Sequence, residues 1–250
     1  IGMFRSYQDI DEYFTKYNIT SYMGYAKEDV KPGMLIYKDV RGERQADGTY
    51  AAPDGVVSAE NDQVRLSNRN NPYSMTMNLN AEWKGISLTA QFNASWGGYS
   101  FLPDDAISLG NQGTSANNYN DLEYANMPSF WNTDNMFVYN DVVDAAGNVV
   151  VKANRNVKYP NLRWSSVNAQ KSSYWRISGT RIKLNRLTLA YRIPSKYTKM
   201  LGIESCRFNV TGQNLLSFYN PYPDNFIDPM TFYGNYPTLR KFTIGVTLTC

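Results

Sequence analysis

The sequence predicts an all-β fold, a transmembrane antiparallel β-barrel sheet with long extracellular loops. Three observations carry that prediction. Long segments alternate apolar and polar residues with a period of two. The connections between those segments are short on one side and very long on the other. No apolar run approaches the ~18 residues that a membrane-spanning helix needs, and the mean hydropathy is −0.49. Barrel strands escape such a scale because their two faces average out.

The alternation is clearest over residues 73 to 96. Tyr73, Met75, Met77, Leu79, Ala81 and Trp83 take one parity, and Ser74, Thr76, Asn78, Asn80 and Glu82 the other. After Lys84-Gly85 the pattern restarts, with Ile86, Leu88, Ala90, Phe92, Ala94 and Trp96 against Ser87, Thr89, Gln91, Asn93 and Ser95. Such a pattern gives a sheet one apolar and one polar face, and the glycine-containing break predicts a tight hairpin. At ~3.3 Å per residue and a tilt near ~45°, each arm rises roughly 28 Å, close to a bilayer's hydrocarbon thickness. Tyr73 and Trp96 at the open end and Trp83 at the turn end stand where barrels carry aromatic girdles. A hairpin in a soluble sandwich alternates in the same way, so the pattern alone leaves both architectures open.

Three further strands follow. Leu187, Leu189, Tyr191 and Ile193 alternate with Thr188, Ala190 and Arg192, but Ile182 and Leu184 have the opposite parity. That reversal predicts a bulge near Asn185-Arg186, or a strand leaving the membrane there. Pro194 ends the strand, and the basic stretch 196 to 202 predicts a brief helical turn. Cys206, Phe208 and Val210 begin the next strand, which runs to Phe218, and Phe242, Ile244, Val246, Leu248 and Cys250 form the last. These two strands run antiparallel, which places Cys206 and Cys250 near one rim as small apolar residues of the lipid-facing parity.

The connections at 84–85 and 194–204 are short, whereas 97–173 and 219–238 are long. Following the hairpins puts every short connection on one side, as in outer-membrane barrels. A connection as long as 97–173 is uncommon in a compact domain. The chain thus divides into residues 1–71, mainly outer loop, the strand hairpin 72–97, a long outer loop 98–173, and the last three strands in 174–250. Within 1–71, a short helix is predicted from Gln8 to Tyr17 and a short strand from Met34 to Lys38.

Composition closes off several function classes. The chain has no histidine, which removes histidine-based triads, histidine zinc sites and a histidine general base. A net charge of +3 without a Lys/Arg run gives no footprint for nucleic acid. Two cysteines are too few for a disulfide scaffold. The chain starts at Ile1 with neither Met nor signal peptide, so a piece of something longer is expected. Asp104-Asp105 reads as a solvated pair, and Asp54-Gly55 and Asp144-Ala145-Ala146-Gly147 read as turns. No catalytic constellation and no cofactor are expected.

Several blocks resemble one family in the same order along the chain. "IGMFRSYQDIDEYF", "KPGMLIYKDV" and "NPYSMTMNLNAEWKGISLTAQFNASWGG" come first. They are followed by "SYWRISGTRIKLNRLTLAYRIP", "LGIESCRFNVTGQNLLSFYNPYPDNFIDP" and "YPTLRKFTIGVTLTC". Together they resemble the C-terminal part of the SusC/RagA-type TonB-dependent transporters. The resemblance implies a plugged barrel of roughly 22 strands, of which this chain supplies about the last five. It implies import of oligosaccharides, glycans or peptides across the bacterial outer membrane. The implied partners are a SusD-like surface lipoprotein, the plug and earlier strands of the same transporter, TonB through the missing N-terminal portion, and outer-membrane lipid. Two features depart from the family. Asp39-Val40-Arg41-Gly42-Glu43-Arg44 has arginines where a cation-holding turn would need hard oxygens, so no metal is expected there. The chain also ends on Cys250 rather than on an aromatic residue.

In that frame, Tyr119, Tyr124, Phe130, Trp131 and Tyr139 of the long loop are candidates for substrate contact, because aromatic faces stack on sugar rings. The competing expectation is that these rings pack the loop on itself or on the lipoprotein. Tyr219, Tyr222, Phe226, Phe232 and Tyr233 of the last outer loop are expected to face the partner. Arg186, Arg192, Arg207 and Glu82 should face the lumen or the interface, since charge on a lipid face is expensive. Two other functions compete: a soluble or surface-anchored glycan-binding β-sandwich, and a carboxylate-dependent glycoside hydrolase.

Overall fold

The computed structural model describes residues 2–66, 70–107, 130–132, 134–161, 164–229, 236 and 238–249. It divides into two compact units, Ile1–Ser67 with Phe101–Arg176, and Asn68–Ser100 with Ile177–Cys250.

The first unit is organised by a helix, α1 (Tyr7–Tyr17). Its start is fixed by a reciprocal cap. The Asp9 N–H donates to Ser6 Oγ at 3.1 Å, and the Asp9 carboxylate accepts from the Arg5 N–H at 2.8 Å. Asn18, with φ 50, closes the other end in the left-handed region. The helix buries Ile10, Tyr13 and Phe14 against Phe4, Ile19, Tyr22, Val30, Met34, Val57 and Val167. Segments expected as separate outer loops therefore share one core, with Val167 packed among residues of the first sixty.

The strand predicted over Met34 to Lys38 does not form. A single antiparallel bridge joins Met3 and Leu35, and side chains take up the remaining backbone groups. The Leu35 N–H donates to Asn168 Oδ1 at 2.7 Å, the Tyr37 N–H donates to the Tyr22 hydroxyl at 2.9 Å, and that hydroxyl donates to the Leu35 carbonyl. The Ile36 N–H donates to the Gly2 carbonyl at 2.9 Å and the Phe4 N–H to the Met34 carbonyl at 3.0 Å, so the segment divides its backbone bonds between residues 2–4 and these side chains.

The second unit is a five-stranded antiparallel sheet of β1 (Tyr73–Trp83), β2 (Ile86–Trp96), β3 (Arg181–Arg192), β4 (Ser205–Ser217) and β5 (Lys241–Thr249). The strands lie in the order β5-β4-β3-β2-β1, each beside its neighbour in sequence. Among the described residues the sheet is open, with β1 and β5 as its edges.

β1 and β2 pair without a slip from Tyr73↔Trp96 to Trp83↔Ile86. Lys84 (φ 47) and Gly85 (φ 84) make the two-residue turn, the left-handed pair whose twist suits a hairpin. A side chain at Gly85 would also meet the Arg192 carbonyl at 2.9 Å.

The predicted bulge is at Asn185. Gln91 pairs with Arg186 and Phe92 with Leu184, so Asn185 has no partner on β2. On the other side Gln213 pairs with Arg186 and Leu216 with Leu184, so Asn214 and Leu215 answer the one bulged residue. Asn214 adopts φ 54 to do so. The bulge returns Ile182 and Leu184 to the face of Leu187, Leu189 and Tyr191, as their partners Ala94, Phe92, Ala90, Leu88 and Ile86 show. Between β3 and β4 the predicted helical turn is present as Ser195–Thr198 continued by Lys199–Leu201 and closed by Gly202 at φ 69.

The registers put the apolar parity of all five strands on one face. On it Trp83 is 67% exposed and Ile244 78%, and Met75, Leu79, Leu189, Phe208, Val246 and Leu248 are exposed too. Apolar side chains in that number on one face require a nonaqueous neighbour, since contiguous apolar patches beyond a few hundred Å² are rare on soluble monomers.

Candidate functional site

The opposite face of the sheet is polar, and its rows follow from the register. One row runs Asn80, Thr89, Thr188, Thr211 and Thr243, with the Thr188 and Thr211 hydroxyls bonded at 2.9 Å. The next runs Asn78, Gln91, Arg186, Gln213 and Lys241, tied by Asn185 Nδ2 donating to Gln91 Oε1 at 3.0 Å. Arg192 and Arg207 stand opposite one another, and Arg207 donates to the Ser87 hydroxyl at 3.0 Å. Lys183 pairs across to Asn93 and Ser217. Arg186, Arg192, Arg207 and Glu82 therefore all lie on the polar face, as their expected exclusion from lipid requires. Arg181 is held by the Pro229 and Gly179 carbonyls at 2.6 and 2.7 Å. Glu82 is the lone carboxylate on the five strands. This face can bind by hydrogen bonding and charge, but it holds no acid–base pair.

The aromatic candidates separate by burial. Phe130 is 1% exposed and Trp131 5%. Their ring centroids are 5.2 Å apart, Trp131 lies 5.2 Å from Tyr159 and 5.9 Å from Trp175, and the Trp131 indole N–H donates to the Ala106 carbonyl at 2.6 Å. In this structure the two rings present no free face to a sugar and pack the loop on itself. Tyr139 is half-buried: Tyr7 meets it edge-on at 5.4 Å, and the Arg155 guanidinium sits 4.2 Å over its ring. Tyr119 and Tyr124 lie outside the described residues.

In the last outer loop Tyr219 is exposed, and Tyr222 and Phe226 meet edge-on at 5.5 Å. Burial pushes the Tyr222 hydroxyl pKa up. Phe232 and Tyr233 lie outside the described residues.

Two structural residues were not foreseen from sequence. Asn168, fully buried, donates to the Gly33 and Asn161 carbonyls at 2.9 and 2.8 Å while accepting from Leu35, and Trp175 donates to the Asn168 carbonyl at 2.6 Å. Neither residue belongs to a periodic pattern, and only the long-range packing of 33–35 against 161–168 gives Asn168 its role.

The Asp39 turn is tied internally. The Gly55 N–H donates to Asp39 Oδ2 at 2.6 Å, and Asp62 accepts from the N–H groups of Val40 at 2.7 Å and Ser58 at 2.7 Å. Burial, with Asp62 and Asp54 nearby, raises the Asp39 carboxyl above its usual range. Asp104 pairs with Lys171 at 3.0 Å, both exposed.

No protein-family model matches the chain. A curated relative, TonB-dependent receptor P3 of Formosa agariphila, is 29% identical over 109 residues, covering 38% of this chain and 10% of the relative. Among solved structures, the RagAB peptide importer in its 'closed-closed' state aligns over 84% of this chain, with a TM-score of 0.51 and 19% identity. The 'open-open' state gives 0.49 and 18%. The chain is SusC/RagA-like. The SusC/RagA-like segment spans 20% of the RagAB chain it matches, and the likeness there is one of fold.

Proposed function

We propose that this SusC/RagA-like segment supplies the closing strands and part of the outer surface of a TonB-dependent outer-membrane importer of nutrients. The observation that carries this is the five-strand sheet with a continuous exposed apolar face backed by a polar, cation-bearing one. A soluble sandwich would cover its apolar parity with a second sheet, whereas here large apolar residues of that parity are exposed on every strand from β1 to β5, although Ala90, Leu184 and Cys206 are buried. On this reading the apolar face meets lipid and the polar face lines the lumen of a barrel of roughly 22 strands, the rest coming from earlier parts of the same transporter. On the same reading Tyr139 in the first unit, and separately Tyr219, Tyr222 and Phe226 in the loop after Ser217, are contacts for substrate or for a SusD-like lipoprotein. Substrates are oligosaccharides or peptides.

The test is fractionation and uptake with the full-length transporter. The protein should remain with outer membranes after salt and carbonate washing and be released by detergent. Uptake of its nutrient should stop when TonB is removed. Recovery in the soluble fraction would overturn the assignment.

A further inference from the structure

The sheet measures the layer it crosses. Its apolar parity is bounded by aromatic residues at both ends, Tyr73 and Trp96 where β1 and β2 open, and Trp83 beside their turn. The 11 residues of β1 span those ends, a rise of roughly 25 Å at ~3.3 Å per residue and a tilt near ~45°. At the turn end the register carries the boundary across four strands, since Trp83 pairs with Ile86, Ile86 with Tyr191 and Tyr191 with Phe208. Two connections stand just beyond this row. At the first, Lys84-Gly85, the Lys84 ammonium lies 4.7 Å over the Trp83 ring, and the Gly85 carbonyl accepts from the Arg192 N–H at 2.8 Å. The second leaves β3 after Arg192 and carries the helical turn Ser195–Thr198 continued by Lys199–Leu201. There Thr198 is buried, whereas Lys196, Tyr197, Lys199 and Met200 are exposed, Met200 at 82%.

We infer that this rim binds anionic phospholipid, with Lys84, Lys196 and Lys199 on the headgroup phosphates and the row from Trp83 to Phe208 on the acyl chains. The inference rests on the lipid-facing reading of the apolar parity proposed above. A bilayer holds ~30 Å of hydrocarbon within ~40–45 Å overall, so its headgroup layer begins about where this row ends. Trp and Tyr favour that boundary. Lysine stems lie along apolar surface there while their ammonium groups reach the phosphates, and an ammonium held on the Trp83 ring stands at the seam between chain and headgroup. Tyr197 and Met200 add exposed apolar area beside Lys196 and Lys199. Against these three cations the two connections carry one carboxylate, Glu204. A zwitterionic headgroup brings its own ammonium, which the lysines repel, whereas an anionic headgroup is attracted without that offset.

The experiment uses the full-length transporter in phosphatidylcholine vesicles containing a minor fraction of brominated phosphatidylglycerol or of brominated phosphatidylcholine. Bromine quenches indole fluorescence on contact, and the difference between wild type and Trp83→Phe isolates the Trp83 signal. Quenching should be stronger with brominated phosphatidylglycerol, corresponding to about a fivefold preference at low salt, and the preference should weaken as salt rises. The triple variant Lys84→Gln, Lys196→Gln and Lys199→Gln should abolish the preference, while the matching arginine triple should keep it. Heat-modifiable gel mobility confirms that each variant is assembled. Equal quenching of wild-type Trp83 by the two lipids, or a preference that the glutamine triple retains, would overturn the inference and leave the lipid-facing reading standing. A Trp83 that neither lipid quenches would overturn both the inference and the reading beneath it.

Discussion

Cys206 on β4 and Leu248 on β5 are directly opposed across the ladder. Both belong to the apolar parity, and Cys206 is buried while Leu248 is exposed. The antiparallel neighbourhood of these strands is the one expected from sequence; Cys250 itself lies outside the described residues. Opposed residues on such strands have Cα atoms about 4.5–5.5 Å apart, within reach of a disulfide. In a Cys250→Ser background, Leu248→Cys should therefore oxidise to a bond with Cys206, whereas Thr247→Cys, on the opposite face, should not. Counting free thiols before and after mild oxidation checks this. Bond formation in the Thr247→Cys variant would mean that the register is shifted by one residue.

Leu189 and Thr188 are adjacent on β3 but point to opposite faces. Leu189 pairs with Leu88 and Val210, Thr188 with Thr89 and Thr211. An arginine at a lipid-facing midplane position costs about 2–4 kcal/mol. Leu189→Arg should lower the stability of the full-length protein by that amount in denaturant titrations from lipid. Thr188→Arg should cost less than ~1 kcal/mol, the worth of the hydroxyl bond it removes. Equal effects at the two positions would exclude a lipid-facing parity.

Asn168 donates two hydrogen bonds and accepts one inside the first unit. Asn168→Asp keeps the shape but cannot donate to the Gly33 and Asn161 carbonyls. Each buried group left unsatisfied costs about 1–3 kcal/mol. Hydrogen exchange should accelerate over 33–37 and 161–168 in this variant, with β1–β5 unchanged. Uniform acceleration would show that the two units are not independent in stability.

The Asp39 carboxyl is held above its usual range by burial, then by Asp62 and Asp54. The folded state thus holds this proton more tightly than the unfolded chain does. Its contribution to stability is present at low pH and is lost as pH rises through the raised value. Stability of the first unit, followed by denaturant titration, should fall as pH rises through that transition. Asp39→Asn keeps an acceptor for Gly55 and should flatten the profile. A profile steeper in the variant than in the wild type would reverse the assigned direction.

The five strands, their order and the bulge at Asn185 were legible in the sequence because strand alternation is local. Each residue's parity names its face, and the parity reversal between Leu184 and Leu187 is absorbed by one extra residue, Asn185. The cations of the polar face were legible by the same rule. The short helix α1, predicted from Gln8 to Tyr17, was legible too; its cap joins Asp9 N–H to Ser6 Oγ three residues earlier.

Tertiary structure alone decided the rest. Nothing local says that Val167 joins the core of Phe4 and Tyr22, or that Asn168 and Tyr22 supply the hydrogen bonds that a strand at Met34–Lys38 would have drawn from a neighbour. Nor does a run of aromatic residues reveal which rings stay accessible. Phe130 and Trp131 are buried because Tyr159 and Trp175, 29 and 45 residues or so further along, close over them. Periodicity fixes which way a side chain points on its own strand, but burial depends on what arrives from elsewhere in the chain.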